Sequence, residues 1–183
     1  MSKIFSQLSS TFVLGIFMIY FILVWQFESF ILPLIIVFSI PLSTMGALFG
    51  LYLTGRSLDA MVFVGIVMLV GIVVNNAIVL IDFIKHRIEL GDNISRAVIT
   101  AGKTRLRPIL MTTMTTVLGM IPLAISNGEG AEMYNGMAFV VVVGLSIATF
   151  LTLLLIPAIY YIVEDMRERT IYFFEKNFLK TEK

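Results

Sequence analysis

Five apolar stretches, each long enough to cross a lipid bilayer, constrain this chain more than anything else in it. A helix rises about 1.5 Å per residue, so about 20 apolar residues cross a hydrocarbon core of about 30 Å. Stretches of that kind run roughly over 9–26, 31–53, 60–84, 108–126 and 137–163. The breaks between the first four are short or charged ("FESF", "TGRSLD", "KHRIELGDNISRAVITAGKTRLR"), and the last break, "NGEGAEMYNG", is glycine-rich and acidic. A 58% hydrophobic content with only 14% charged residues lies far from a soluble domain. The expected fold is therefore an all-α membrane protein with five transmembrane helices. The transmembrane domain covers 1–163, and 164–183 forms a polar tail. No repeat or low-complexity tract interrupts the pattern.

Several function classes drop out at once. A formal charge of +1 gives no basis for a nucleic-acid partner. The chain has no cysteine, which removes disulfides and thiolate metal sites. No His, Cys or carboxylate cluster has catalytic or metal-ligand spacing and no glycine loop suits a phosphate, so neither an enzyme nor a cofactor or metal is expected. The opening "MSKIFSQLSSTFVLGIFMIYF" has one lysine and no small-residue cleavage signal, which reads as an uncleaved helix.

Basic residues near helix ends set the orientation, because Lys and Arg are retained on the cytoplasmic side. Lys85, Arg87, Arg96, Lys103, Arg105 and Arg107 cluster in one loop, and Arg167, Arg169, Lys176, Lys180 and Lys183 lie in the tail. Both belong inside. The loop with Glu129 and Glu132 and the "TGRSLD" turn then belong outside. Five helices that end inside must begin outside, which suggests that the chain continues something larger. Within the inside loop, Asp92 or Asn93 can cap a helix whose Ile94, Ala97, Val98 and Ala101 share a face. This amphipathic helix is expected on the cytoplasmic membrane surface.

The apolar runs carry a few polar residues. In "GIVVNNAIVLIDF", Asn75 and Asp82 are seven apart and so project within about 20° of each other, while Asn76 points about 100° away. Asp82 lies three residues before Lys85 and reads as an interfacial carboxylate paired with nearby basic side chains. The asparagines either hydrogen-bond between helices or line a polar pathway, and composition does not choose. The fourth run, "RLRPILMTTMTTVLGMIPLAIS", opens on Pro108, suited to the first turn of a helix, and presents four threonines. Each threonine alone reads as bonding its own backbone one turn back. Pro41 and Pro122 should kink their helices, and Gly46 with Gly50 has the small-xxx-small spacing of close helix contact. The eleven methionines read as adaptable packing rather than a soft-metal track.

"GIVVNNAIVLIDF", "RLRPILMTTMTTVLGMIPLAIS", "LLLIPAIYY" and "GRSLDAMVFVGIVMLVGIVVNNAI" together resemble the last helices of the resistance-nodulation-division (RND) family, the proton-driven efflux pumps of the acriflavine-resistance type. The resemblance runs from about Thr11 to Val163. It implies helices eight to twelve of a twelve-helix bundle, that is, half of it, and explains a first helix that begins outside. In that family a proton relay joins two aspartates of helix four to a lysine of helix ten and to a threonine and an arginine near the start of helix eleven. By the motifs, Asn75 stands at the lysine, Asn76 at the asparagine after it, Thr112 at the threonine and Arg105 at the arginine. A neutral amide thus replaces the lysine. It can hydrogen-bond a carboxylate in either protonation state, but it cannot form an ion pair.

The resemblance further implies an inner-membrane location in a Gram-negative-type cell with the C-terminus cytoplasmic, and a proton gradient as the energy source. It implies partners as well: the missing N-terminal half, a homotrimeric assembly, a periplasmic adaptor and an outer-membrane channel. The expected function is the C-terminal membrane part of a pump exporting drugs or other amphiphiles, inactive alone. The alternatives are a non-transporting module that scaffolds other helices, or a protein-export accessory relative of the same superfamily.

Overall fold

The computed structural model describes residues 2–55, 57–126, 128 and 130–181, and these form six α-helices with no strand among them. They are α1 (Ser2–Phe27), α2 (Ile31–Val37), α3 (Ser39–Thr54), α4 (Ala60–Glu89), α5 (Ile94–Ile125) and α6 (Ala131–Thr181). Five stretches are long and apolar enough to cross a membrane: Ser6–Phe27, Ile31–Thr54, Ala60–Glu89, Ile94–Ile125 and Met133–Arg167. The second is built from α2 and α3 together.

Proline divides that second span. Pro41 has no N–H to offer the carbonyl one turn back, at Val37, and α2 stops at that residue before α3 resumes at Ser39. The break falls a turn ahead of the proline that causes it. α3 ends on Gly55, whose φ of 62° is the left-handed cap that glycine adopts most readily. α4 then starts cleanly because the Asp59 carboxylate accepts the Val62 N–H at 2.7 Å. It runs past the apolar boundary at 84 to Glu89. There Gly91, at φ 92°, donates to the Ile88 carbonyl at 2.9 Å while the Asp92 N–H reaches the Arg87 carbonyl at 3.2 Å, a Schellman closure.

The amphipathic segment that begins at Ile94 is not a separate element on the surface; it forms the opening turns of α5, with Asn93 as its N-cap residue. Pro108 sits well inside this helix rather than in its first turn. A mid-helix proline costs about 3 kcal/mol. Packing holds both sides in line: Ala97 and Ala101 are fully buried in one cluster with Ile84, Ile156 and Tyr160, and Ile109 is buried just beyond the proline. The polar tail likewise continues α6, through Thr181. Charge ends the apolar run near Val163 but does not end the helix, because Glu, Arg and Lys are good helix formers.

α6 is the centre of the bundle, with α3, α4 and α5 packed around it, whereas α1 rests on α2 and α4 with almost none of its span buried. Small residues let the central helices approach. A Cβ on Gly46 would lie 3.1 Å from the Gly144 carbonyl oxygen, one on Gly50 3.0 Å from Val143, and one on Gly65 3.0 Å from the Met137 carbonyl oxygen. Around these contacts Ala47, Leu69, Val140 and Ala148 form a fully buried core.

Candidate functional site

The outward face of α4 carries polar groups at mid-span. Val64, Met68, Gly71, Asn75 and Asp82 follow one another at steps of three, four and seven residues and are all exposed, so they form one open stripe along the helix. The opposite side of α4 is the core side, with Leu69, Val73, Val74, Ala77 and Leu80 buried. Asn75 stands near the middle of the helix on the open stripe. Asn76, one residue on, is only 7% exposed and its Nδ2 finds no hydrogen-bond partner.

α5 has an open stripe of the same kind. Pro108, Thr112, Thr115, Gly119 and Pro122 recur at steps of four and three and are all exposed. Three of its threonines bond back onto the helix: Thr112 to the Pro108 carbonyl at 3.0 Å, Thr115 to Met111 at 2.8 Å and Thr116 to Thr112 at 2.9 Å. Thr113 differs. It is buried, and its Oγ1 lies 3.1 Å from that of Thr149 on α6. The Thr149 hydroxyl already donates to the Leu145 carbonyl at 2.7 Å, so Thr113 is the donor between the two.

Arg105 joins α5 to α4 through an aromatic face, its guanidinium carbon 4.7 Å from the centre of the Phe83 ring. Its Nε is buried without a hydrogen-bond partner. Phe83 is the neighbour of Asp82 in the chain, yet Asp82 makes no ion pair among the described residues. Lys85 pairs with Glu89, Arg87 with Asp92 and Arg167 with Glu164. The expected pairing of Asp82 with nearby basic side chains is therefore corrected: Lys85 turns instead to Glu89 and to the Phe27 carbonyl, 3.4 Å away. Asp82 and Glu89 both lie one turn from Lys85 along α4, but the Lys85 amine is drawn toward the end of α1, on the Glu89 side.

Among Asn75, Asn76, Thr112 and Arg105, no two are hydrogen-bonded to each other among the described residues, and two of the four, Asn75 and Thr112, lie on the open stripes. Gly46 and Gly50 lie on α3 against α6, away from those stripes. Sequence reasoning missed Gly65, Gly144 and the Thr113–Thr149 bond. The spacing of Gly144 and Ala148 was the available signal for the close approach, but nothing in the threonine pattern singles out Thr113. No group of three or more His, Cys, Asp or Glu converges among the described residues.

Comparison with known proteins matches residues 2–164 to the model of the AcrB/AcrD/AcrF family. The chain is 39% identical over 166 residues to the swarming motility protein SwrC of Bacillus subtilis (strain 168), covering 90% of this chain and 16% of that protein. It is 35% identical over 152 residues to the multidrug resistance protein MdtC of Erwinia amylovora, covering 82% of this chain and 15% of that one. Among solved structures, a heavy metal efflux pump in its second crystal form superposes with a TM-score of 0.78 at 34% identity, over 86% of this chain and 15% of the pump. The chain thus spans about a sixth of the length of the relatives it matches.

Proposed function

The chain belongs to the AcrB/AcrD/AcrF family of RND efflux transporters, and from that premise we propose that it forms the C-terminal membrane part of a proton-driven pump that exchanges protons for drugs or other amphiphiles. One observation carries the reading: two neighbouring helices leave polar and small residues uncovered at mid-span, Asn75 on α4 and Thr112 on α5. A polar side chain facing hydrocarbon is costly, so such stripes call for a covering helix with polar groups of its own. In the proposed pump that cover is a helix of the other half, carrying the carboxylates that bind and release the proton.

Asn75 and Thr112 are the proposed hydrogen-bonding partners of those carboxylates, with Asn76 and Arg105 as supports on the same two helices. An amide offers a donor to an ionised carboxylate and an acceptor to a protonated one, so it can follow the proton without changing its own charge. Coupling then proceeds through hydrogen bonds instead of an ion pair that is made and broken. The multi-pass chain is placed in the plasma membrane with the ends of α4 and α6 on the cytoplasmic side, supported by the basic residues there. Drug or amphiphile export is favoured by the likeness to a multidrug resistance protein.

The test rejoins the chain to the first half of a pump of this family. Asn75→Leu and Thr112→Val should abolish drug efflux at unchanged membrane levels, while Asp82→Asn should retain most of it. Full efflux in Asn75→Leu would return that residue to packing and remove hydrogen-bonded coupling from the mechanism.

A further inference from the structure

A polar recess lies where α1 and α4 end, away from the mid-span Asn75 and Thr112. It has a volume of about 340 Å³ and is walled by the α1–α2 turn, the end of α4 and the far part of α6. Its position is set by the helices: Phe27 ends α1, Lys85 follows the apolar run of α4, and Glu164 follows that of α6. Three spans therefore bring charged residues to one level, which is where lipid headgroups sit. Its inner wall is apolar, formed by Phe27, Leu32 and Tyr160, all buried.

The charges on its rim are of both signs. Lys85 and Arg167 face three carboxylates, Glu28, Glu89 and Glu164. Two of these are already matched within the chain, Glu164 to Arg167 at 3.1 Å and Glu89, loosely, to Lys85 at 3.9 Å. Glu28 has no ion pair among the described residues, and the described rim is left with one carboxylate in excess. Glu28 is also the one non-glycine residue with a left-handed backbone among those described, at φ 50°. A side chain with a Cβ holds that conformation at a cost of about 1 kcal/mol or more, so a glutamate standing where glycine would fit better marks the turn as a place where the carboxylate has a use.

We infer that this recess binds a zwitterionic phospholipid headgroup carrying a primary ammonium, that of a phosphatidylethanolamine. Its ammonium sits against Glu28 and Glu89, its phosphate is held by Lys85 and Arg167, and its acyl chains leave along the apolar wall into the membrane. A primary ammonium has three N–H donors for carboxylates. The quaternary ammonium of phosphatidylcholine has none, and a purely anionic headgroup would meet the excess carboxylate with no counter-charge of its own.

The experiment is native mass spectrometry of the full chain released from detergent after exposure to equal amounts of phosphatidylethanolamine, its mono-, di- and trimethylated forms, and phosphatidylglycerol, all with the same acyl chains. Retention should fall stepwise with methylation, phosphatidylethanolamine exceeding phosphatidylcholine by about threefold or more, as partly exposed charge contacts allow. Glu28→Gln with Glu89→Gln should erase that preference at unchanged helix content, while Asp82→Asn, outside the recess, should keep it. Soluble phosphoethanolamine should not displace the lipid, since it lacks the acyl chains that lie on the apolar wall. Displacement by it would assign the site to a free zwitterion instead and overturn the lipid assignment. Equal retention across the methylated series, or a preference that survives the double substitution, would overturn the inference without touching the proposed pump function, which rests on the open stripes of α4 and α5.

Discussion

Replacing Gly65 by alanine should destabilise the bundle, although alanine is the better helix former. The added Cβ would stand 3.0 Å from the carbonyl oxygen of Met137 and 3.2 Å from its Cα, both backbone atoms of α6. Backbone cannot rotate away, so α4 and α6 must part by a few tenths of an ångström along a seam that also holds Leu69, Val73 and Val140. Overpacking of that kind costs about 1–3 kcal/mol. Alanine returns about 1 kcal/mol of helix propensity, leaving a net loss of up to about 2 kcal/mol. Gly119→Ala is the matched control, because nothing lies within 4 Å of its missing Cβ. It should gain about 0.5–1 kcal/mol. Gly144→Ala should cost less than Gly65→Ala even though its nearest neighbour is closer, at 2.5 Å, since that neighbour is the end of the Leu69 side chain and the nearest backbone, at Ala47, stands 3.3 Å away instead of 3.0 Å. Unfolding in mixed micelles, followed by circular dichroism, ranks the three. A Gly65→Ala chain as stable as Gly119→Ala would mean that the α4–α6 approach is looser than described.

In this cysteine-free chain, a single cysteine at Gly128 should react with a membrane-impermeant thiol reagent in intact cells, while one at Leu90 should not; Leu90 is the better site there because its neighbour Gly91 holds a left-handed backbone. Labelling at Leu90 alone would invert the orientation. Thr113→Val should lower stability by about 0.6 kcal/mol, and by no more than about 1.7 kcal/mol, and adding Thr149→Val should cost less than the sum of the two singles; strict additivity in that cycle would show that the hydroxyls do not interact.

Much of the bundle was legible because hydropathy and helix length are both local properties. The five spans follow from apolar runs, and the break in the second follows from the missing N–H of Pro41. Helix ends were harder to read where charge and helix propensity disagree. Lys103 and Arg105, between the expected amphipathic helix and the fourth apolar run, looked like loop, but they are good helix formers, and buried Ala101 and Ile109 on either side hold them in α5. Contacts between distant segments were not legible at all. That Gly65 meets Met137, or that Lys85 turns to Glu89 and leaves Asp82 alone, depends on how helices are rotated against one another, and a single sequence does not state it.

The open stripes sharpen the meaning of an amide at position 75. A lysine there would place a fixed positive charge on an uncovered face at mid-span, at about 2.5–3.5 kcal/mol on insertion scales, until a carboxylate came to meet it. Asn75 carries no such penalty of charge, so α4 can stand in the bundle before any partner helix arrives. In the proposed pump the cost moves to the partner, whose carboxylate is stabilised by donors alone, which favours the protonated form more than a lysine would. On the proposed reading, the pump should hold its proton up to a higher pH than a lysine-bearing relative. In the rejoined protein, Asn75→Lys should shift the pH dependence of efflux to lower values, provided that it supports efflux. A profile unchanged by that substitution would show that the residue at 75 does not face the proton-binding carboxylates.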